Sequence, residues 1–275
     1  MDAGLARVLD EVRSRQGRVV ALTGAGISAE SGIPTFRSGD GFWVIGSRNY
    51  VPEEIATRAM FNRAPEEVWR WYLARFARVA GAEPNAAHRA LVDLERALGE
   101  RFTLVTQNID GLHHKAGASR ERTYCIHGEA TLARCSDGCT RKLRELPVPA
   151  RADPLAPLDD GERERLRCKG CGAWLRPHVL LFDEFYDEPY YRMDSALAAA
   201  DAADLLLVVG TTGATTLPMR IGQIAAANGA YVVDVDPEPN MFSSLAEQHG
   251  FFARGPATTH VPGIVAALTG APERS

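Results

Sequence analysis

The sequence predicts an α/β fold, a parallel sheet covered by helices, and three observations carry that prediction. Short apolar, β-branched runs recur at 19–22, 102–105, 204–209 and 231–235. Helical patterns lie between or beside them, at 85–98, 195–202 and 218–228, and this alternation argues for parallel pairing with helices on the faces. The third observation is the link out of the first run, where Gly24, Ala25, Gly26 and Ala29 form a G-x-G-x-x-A signature. Such a turn brings backbone N–H groups to a pyrophosphate at a helix N-terminus, where the dipole favours anions. A chain of 275 residues with 45% hydrophobic content suffices for one large core with a small satellite. The net charge of -4 offers no global basic field, so nucleic acid is not an expected partner.

Taken in order, residues 1–18 read as a helix with Leu5, Val8, Leu9 and Val12 on one face and Asp2, Asp10 and Glu11 among the polar positions. A segment carrying acids and no continuous apolar stretch is read as neither signal nor transit peptide. No run suits a bilayer span, so no membrane association is expected and the protein is read as cytoplasmic. The strand at 19–22 feeds the glycine turn, but the acidic residue that should follow about 20 residues on in a hydride-transfer enzyme is missing. That region, "TFRSGDGFWVIGSRNY", reads as a loop. Residues 36–82 continue with helical runs rich in aromatics, including Trp69, Trp71, Tyr72 and Phe76.

After the helix at 85–98, the strand at 102–105 ends in Thr106, and Gln107, Asn108 and Asp110 arrive together at its C-terminal edge. Ligands of parallel sheets bind at that edge, although Asp110 alone also suits a helix N-cap. His127 follows another expected strand and precedes Gly128; spacing alone leaves it either structural or a general base. Further on, the strand at 231–235 runs into Asp236 before Pro237. A carboxylate there suits the cap of a turn.

Four of the five cysteines form two pairs, Cys135 with Cys139 and Cys168 with Cys171, beside Gly138, Gly170 and Gly172. Two close pairs make a tetrahedral thiolate cage, so structural zinc is the reading preferred to two disulfides in a cytoplasmic chain. Four sulfurs leave the metal no open position for water, and it would staple the fold without doing chemistry. The intervening segment is rich in proline and charge and reads as an exposed excursion with little core of its own. Cys125 is left over and reads as a small buried hydrophobe.

Together these segments resemble the sirtuin family of NAD-dependent protein lysine deacylases. The resemblance lies in GAGIS-AESGIP-TFR at 24–37, TQNIDGLH at 106–113, HGE at 127–129, the paired cysteines, RPHV at 176–179 and GTT at 210–212. It implies a Rossmann-like parallel sheet with helices on both faces, plus a small domain made of a helical module and a zinc-binding module. The NAD-binding part would comprise 1–35, 84–134 and 176–275, the helical module with its cofactor loop 36–83, and the zinc module 135–175. It further implies that NAD is consumed, releasing nicotinamide and O-acyl-ADP-ribose. His127 would be the general base toward a ribose hydroxyl, with Asn108 beside it. Gly24, Ala25, Gly26 and Ser28 would take the pyrophosphate region, and Phe36 and Arg37 the loop over the cofactor. Gln107, Asn108 and Asp110 would line the nicotinamide and ribose pocket, and Gly210, Thr211, Thr212 and Asp236 the adenosine half.

The subgroup that removes malonyl, succinyl and glutaryl groups carries Tyr-x-x-Arg in its helical module and Thr before Phe-Arg in its loop; this chain has Tyr72 with Arg75, and Thr35 before Phe36 and Arg37. An i, i+3 spacing puts a phenol donor and a guanidinium on one helix face, where both can meet one carboxylate. The same residues could equally form the helix's core stripe. Val179 and Phe182 are the expected walls of the acyl-lysine tunnel. The family's Phe-Gly-Glu reads Phe182-Asp183-Glu184 here, a departure within one of the two segments that clamp the substrate peptide as an added strand. Mono-ADP-ribosyl transfer or NAD hydrolysis on the same scaffold is the alternative activity. A non-catalytic ADP-ribose sensor fits poorly with a full polar constellation, and a zinc-ribbon nucleic-acid binder with the acidic charge.

Overall fold

The structure is a computed structural model that describes residues 1–35, 52–150, 153 and 156–271. The chain begins with α1 (Ala3–Ser14) and β1 (Val19–Thr23), then a 3-10 helix (Ala25–Ser31). Three helices follow, α2 (Pro52–Ile55), α3 (Arg58–Arg63) and α4 (Pro65–Val79), then α5 (Ala86–Leu98), β2 (Phe102–Thr106), α6 (Leu112–Ala116) and β3 (Thr123–Cys125). A second group comprises β4 (Gly128–Cys135), β5 (Arg144–Glu145), α7 (Asp160–Arg165) and β6 (Leu175–Val179). The last stretch holds α8 (Glu188–Tyr191), α9 (Met193–Asp201), β7 (Leu205–Val209), α10 (Thr216–Ala227), β8 (Tyr231–Asp236), α11 (Met241–His249), β9 (Gly250–Arg254) and α12 (Ala257–Thr269).

The main sheet has the order β3-β2-β1-β7-β8-β9, with every pair parallel. The strand order therefore reverses at β1, whose neighbours β2 and β7 diverge in sequence, and a crevice opens beyond the C-terminal ends of these three strands. Alternate residues of the strands feed two cores. Val19, Ala21, Leu205, Leu207, Val233 and Val235 pack with α1, α5 and α12, while Val20, Leu22, Val105, Leu206, Val208 and Val232 pack with α9, α10 and α11. Each fully buried Val or Leu among them contributes roughly 1.5–3 kcal/mol, which is why the strand runs are mostly apolar, with Thr103 and Asp234 as polar interruptions.

A third core joins the helical segment to the cysteine-bounded one: Trp69, Tyr72, Leu73 and Phe76 pack with Val148, Leu158, Leu166 and Leu175. The excursion is thus less exposed than its composition suggests, because it borrows a core from α4. Polar ties reinforce the contact. Trp69 Nε1 donates to the Leu175 carbonyl at 2.7 Å, Arg58 Nη2 to the Ser136 carbonyl at 2.8 Å, and Arg163 pairs with Glu66 at 3.0 Å. Among the described residues no helix is long and apolar enough to cross a membrane.

Candidate active site

The glycine turn after β1 is shaped by close packing against the turn after β7. A Cβ on Gly24 would lie 2.6 Å from Thr211 Cβ, one on Gly26 2.6 Å from Gly210 Cα, and one on Gly210, itself at φ +62°, 2.5 Å from Gly26 Cα. Gly24 N–H donates to Val209 O at 3.0 Å and Gly26 N–H to Gly210 O at 2.9 Å. Two details differ from the sequence expectation. The helix that opens here is a seven-residue 3-10 helix, and the Gly24 and Gly26 amides are already committed within the protein. These glycines let two loops touch at the switch point.

Those side chains come from the ends of β1, β2 and β7 and hold one another. Asn108 Nδ2 donates to Gly24 O at 3.0 Å and Ser28 Oγ at 3.2 Å, and Ser28 Oγ donates to Asp110 Oδ2 at 2.8 Å. Asp110 Oδ1 accepts from the Leu112 amide at 2.9 Å, so it caps the first turn of α6 and also faces the site. Burial pushes its carboxyl up, against the pull of those hydrogen bonds. Gln107 Nε2 donates to Thr211 Oγ1 at 2.8 Å, tying β2 to β7. Thr212 follows in the same turn. Asp236 is buried at the end of β8 and its Oδ1 accepts from the Glu238 amide at 3.0 Å, the turn-capping arrangement. Phe36 and Arg37 lie outside the described residues.

His127 stands where β3's extension meets β4. The Ile126 amide still pairs with Thr106 O at 3.0 Å, and then Gly128, at φ +85°, turns the chain so close to β6 that a Cβ would lie 2.1 Å from His178 O. His127 Nδ1 lies 3.0 Å from the Gln107 carbonyl oxygen and Nε2 2.8 Å from the Tyr186 hydroxyl. A carbonyl only accepts, so Nδ1 carries the proton and Nε2 of the neutral ring presents its lone pair. Desolvation holds the pKa down at about 4, against the upward pull of the Gln107 bond. Cys125, two residues earlier, has its thiol pushed up to about 12 by burial, which suits the inert reading.

On the substrate side, Tyr72 and Arg75 are both buried on α4. The Arg75 guanidinium lies 3.5 Å from the centre of the Trp71 ring, and Tyr72 meets Trp71 edge-on at 4.9 Å. The Tyr72 hydroxyl is buried without a hydrogen-bond partner among the described residues, and burial pushes its pKa up. The rings thus serve as core, and the phenol's donor is unspent among the described residues. Val179 is buried in β6, whereas Phe182 is 55% exposed. Its amide donates to Ala56 O at 3.0 Å, because the next residue is anchored: Asp183 accepts from the Arg58 and Ala59 amides at 2.5 and 3.0 Å, while Thr57 accepts from Met60 N at 3.0 Å. Asp183 thereby satisfies two otherwise orphaned N–H groups of α3. Asp183→Ala is expected to lower stability by about 0.5–2 kcal/mol, read as a fall in Tm; an unchanged Tm would mean that these bonds carry nothing. Glu184, next along, pairs with the buried Arg176 guanidinium at 2.7 Å.

Two features of the site have no counterpart in the sequence reading, Tyr186 on His127 and Thr215, whose Oγ1 donates to Gln107 Oε1 at 3.2 Å. Only the aromatic, acidic run "DEFYDEPYYR" hinted at the first.

The cysteines come together as expected. Cys135 and Cys171 Sγ lie 3.6 Å apart and Cys139 and Cys168 Sγ 3.5 Å apart, and all four sulfurs fall within 4.8 Å of one another. A tetrahedron of thiolates at about 2.3 Å from zinc has edges of about 3.8 Å, so the donor set fits the ion with little adjustment. The polar set at the switch point likewise fits a ribose: Gln107, Asn108, Asp110 and His127 each keep partial exposure and offer amide, carboxylate and imidazole groups toward hydroxyls.

Residues 24–216 match the model of the Sir2 family. A protein named NAD-dependent protein deacylase from Thermus thermophilus is 42% identical over 245 residues, 86% of this chain and 87% of that protein. One of the same name from Leptospira interrogans is 37% identical over 253 residues, 92% of this chain and 94% of that protein. Among solved structures, a Sir2 homolog in complex with NAD superposes with a TM-score of 0.77 at 33% identity, covering 98% of this chain and 94% of that one.

Proposed function

The chain belongs to the Sir2 family, and from that membership and the geometry at the sheet's C-terminal edge we infer that it is an NAD-dependent protein deacylase acting on acyl-lysine in proteins or peptides. One observation carries the reading: a neutral imidazole whose Nδ1 proton is fixed on Gln107 O at 3.0 Å, which leaves Nε2, 2.8 Å from the Tyr186 hydroxyl, as its basic nitrogen. When bound, NAD supplies an electrophilic ADP-ribosyl carbon with nicotinamide as leaving group. His127 Nε2 would take a proton from a ribose hydroxyl. Asn108, with Gln107 and Asp110, orients the ribose and nicotinamide ends, while Ser28 and the turns at Gly24, Ala25 and Gly26, and at Gly210, Thr211 and Thr212, face the phosphates and adenosine, with Asp236 toward the adenosine ribose. Arg37 and Phe36 are assigned to the loop over the cofactor. Zinc on Cys135, Cys139, Cys168 and Cys171 is structural, and thiolates kept for a metal suit a cytoplasmic protein.

The acyl group is assigned as acidic. The buried phenol of Tyr72, without a partner among the described residues, and the guanidinium of Arg75 one turn on would receive a succinyl or malonyl carboxylate, with Val179 and Phe182 flanking the lysine. Mass-spectrometric comparison of kcat/KM for paired succinyl- and acetyl-lysine peptides tests this, since that ratio reads differential transition-state binding. Succinyl preference with O-succinyl-ADP-ribose is expected. Arg75→Met should cost succinyl-lysine turnover about tenfold or more while leaving acetyl-lysine turnover nearly intact, because a charge-assisted hydrogen bond worth about 1.5–3 kcal/mol is lost. Equal losses on both peptides would return Arg75 to its Trp71 stacking role. Nicotinamide release without loss of acyl group would favour ADP-ribosyl transfer or NAD hydrolysis.

A further inference from the structure

We propose that Tyr186 is a specificity-determining residue of this site, one that occupies the proton-accepting lone pair of His127 until cofactor and substrate displace it. The inference rests on the deacylase reading for what replaces Tyr186, but the contact itself rests on geometry alone. The Gln107 carbonyl takes the single proton of the neutral imidazole at Nδ1. Nε2 then has one in-plane lone pair, and the Tyr186 hydroxyl at 2.8 Å must be its donor. A ribose hydroxyl and the phenol cannot both donate to that one lone pair. Protonation of the ring would lift this constraint by making both nitrogens donors, but burial opposes it at neutral pH. The phenol is itself held as an O–H donor, since burial, the larger influence on it, pushes its pKa up to about 12.

Tyr186 lies four residues beyond Phe182, on the segment assigned to clamp the peptide, and Thr215, in the loop after β7, approaches the same base through Gln107. Thr215 Oγ1 donates to Gln107 Oε1 at 3.2 Å and the Gln107 backbone carbonyl accepts from His127 Nδ1, so Thr215 and His127 meet on one residue. On the outer side the same segment presents Phe185 at 90% exposure and Phe182 at 55%. A peptide strand seated there would engage the segment that carries Tyr186. Base release and peptide seating are thereby coupled, which makes this residue a filter for ligands that engage both.

Tyr186→Phe removes only the hydroxyl. Steady-state kinetics with NAD and an acyl-lysine peptide should show kcat/KM for NAD raised about two- to tenfold, the weight of one neutral hydrogen bond, through a lower KM with kcat held. The nitrogen NMR resonance of His127 Nε2, which reports hydrogen bonding at that lone pair, should differ between the wild type and Tyr186→Phe without ligand, and adding ADP-ribose should shift it in both. A fall in kcat with KM unchanged would overturn the proposal by making the hydroxyl part of the chemistry. Identical Nε2 resonances in the two ligand-free proteins would overturn it as well. Absence of turnover by the wild type would count against the deacylase reading instead, and the resonance comparison would still decide whether Tyr186 holds the lone pair.

Discussion

His127→Ala should lower kcat/KM for deacylation by about 10²–10⁴-fold, the usual contribution of a positioned general base, with Tm and zinc content retained. The ring is held by a backbone carbonyl on one side and a phenol on the other, so its removal takes no structural charge from the site. The pH dependence follows from the same geometry. Desolvation lowers the pKa from 6.5 to about 4, so the base is already unprotonated at neutral pH. As pH falls, activity is retained through the ordinary histidine range and lost only as Nε2 protonates near about 4. The acid limb of kcat/KM, which reports the free enzyme, should therefore lie well below its customary place. A variant retaining full activity would remove His127 from the mechanism, and an acid limb near 6.5 would mean that solvent reaches the ring freely.

The parts of the fold that were legible in the sequence are those whose residues are dictated by one local requirement. Strands covered on both faces are apolar at most positions, so the runs in β1, β2, β7 and β8 announce themselves despite Thr103 and Asp234. Edge strand β9, "GFFAR", is only half-buried and opens on a glycine, so nothing marks it. Helix α12 carries Pro262 in its interior, which breaks the pattern a helix is read from. The same division holds at the site. Paired cysteines declare a metal wherever they fall, and the polar set after β2 sits at a strand end that sequence can locate. The hydrogen bond from Tyr186 to His127 spans 59 residues and depends on how two loops cross. The glycines of the G-x-G-x-x-A signature also answer the crowding of Gly26 against Gly210 and open a 3-10 helix, neither of which the signature announces.

Zinc removal should have the largest effect on the fold, and that effect should reach beyond the cysteines. The sulfur pairs close the ends of a segment whose apolar residues Val148, Leu158 and Leu166 pack, among the described residues, in the core they share with Trp69, Tyr72 and Phe76. Structural zinc sites in small modules are worth about 10–16 kcal/mol, comparable to the whole stability of a domain, so the segment cannot hold its conformation once the ion is gone. Trp69, fully buried and bonded to the Leu175 carbonyl at 2.7 Å, would then lose its partner, and α4 would lose the packing that orients Tyr72 and Arg75. The expected result with a strong chelator is release of one zinc per chain, a large fall in Tm, a red shift of tryptophan emission and loss of deacylation, with Cys168→Ser reproducing all four. The parallel sheet has two cores of its own, so much of the helical circular dichroism should survive. Zinc-free protein with an unchanged Tm and unshifted tryptophan emission would show that the shared core suffices without the metal, and the four thiols would need another explanation.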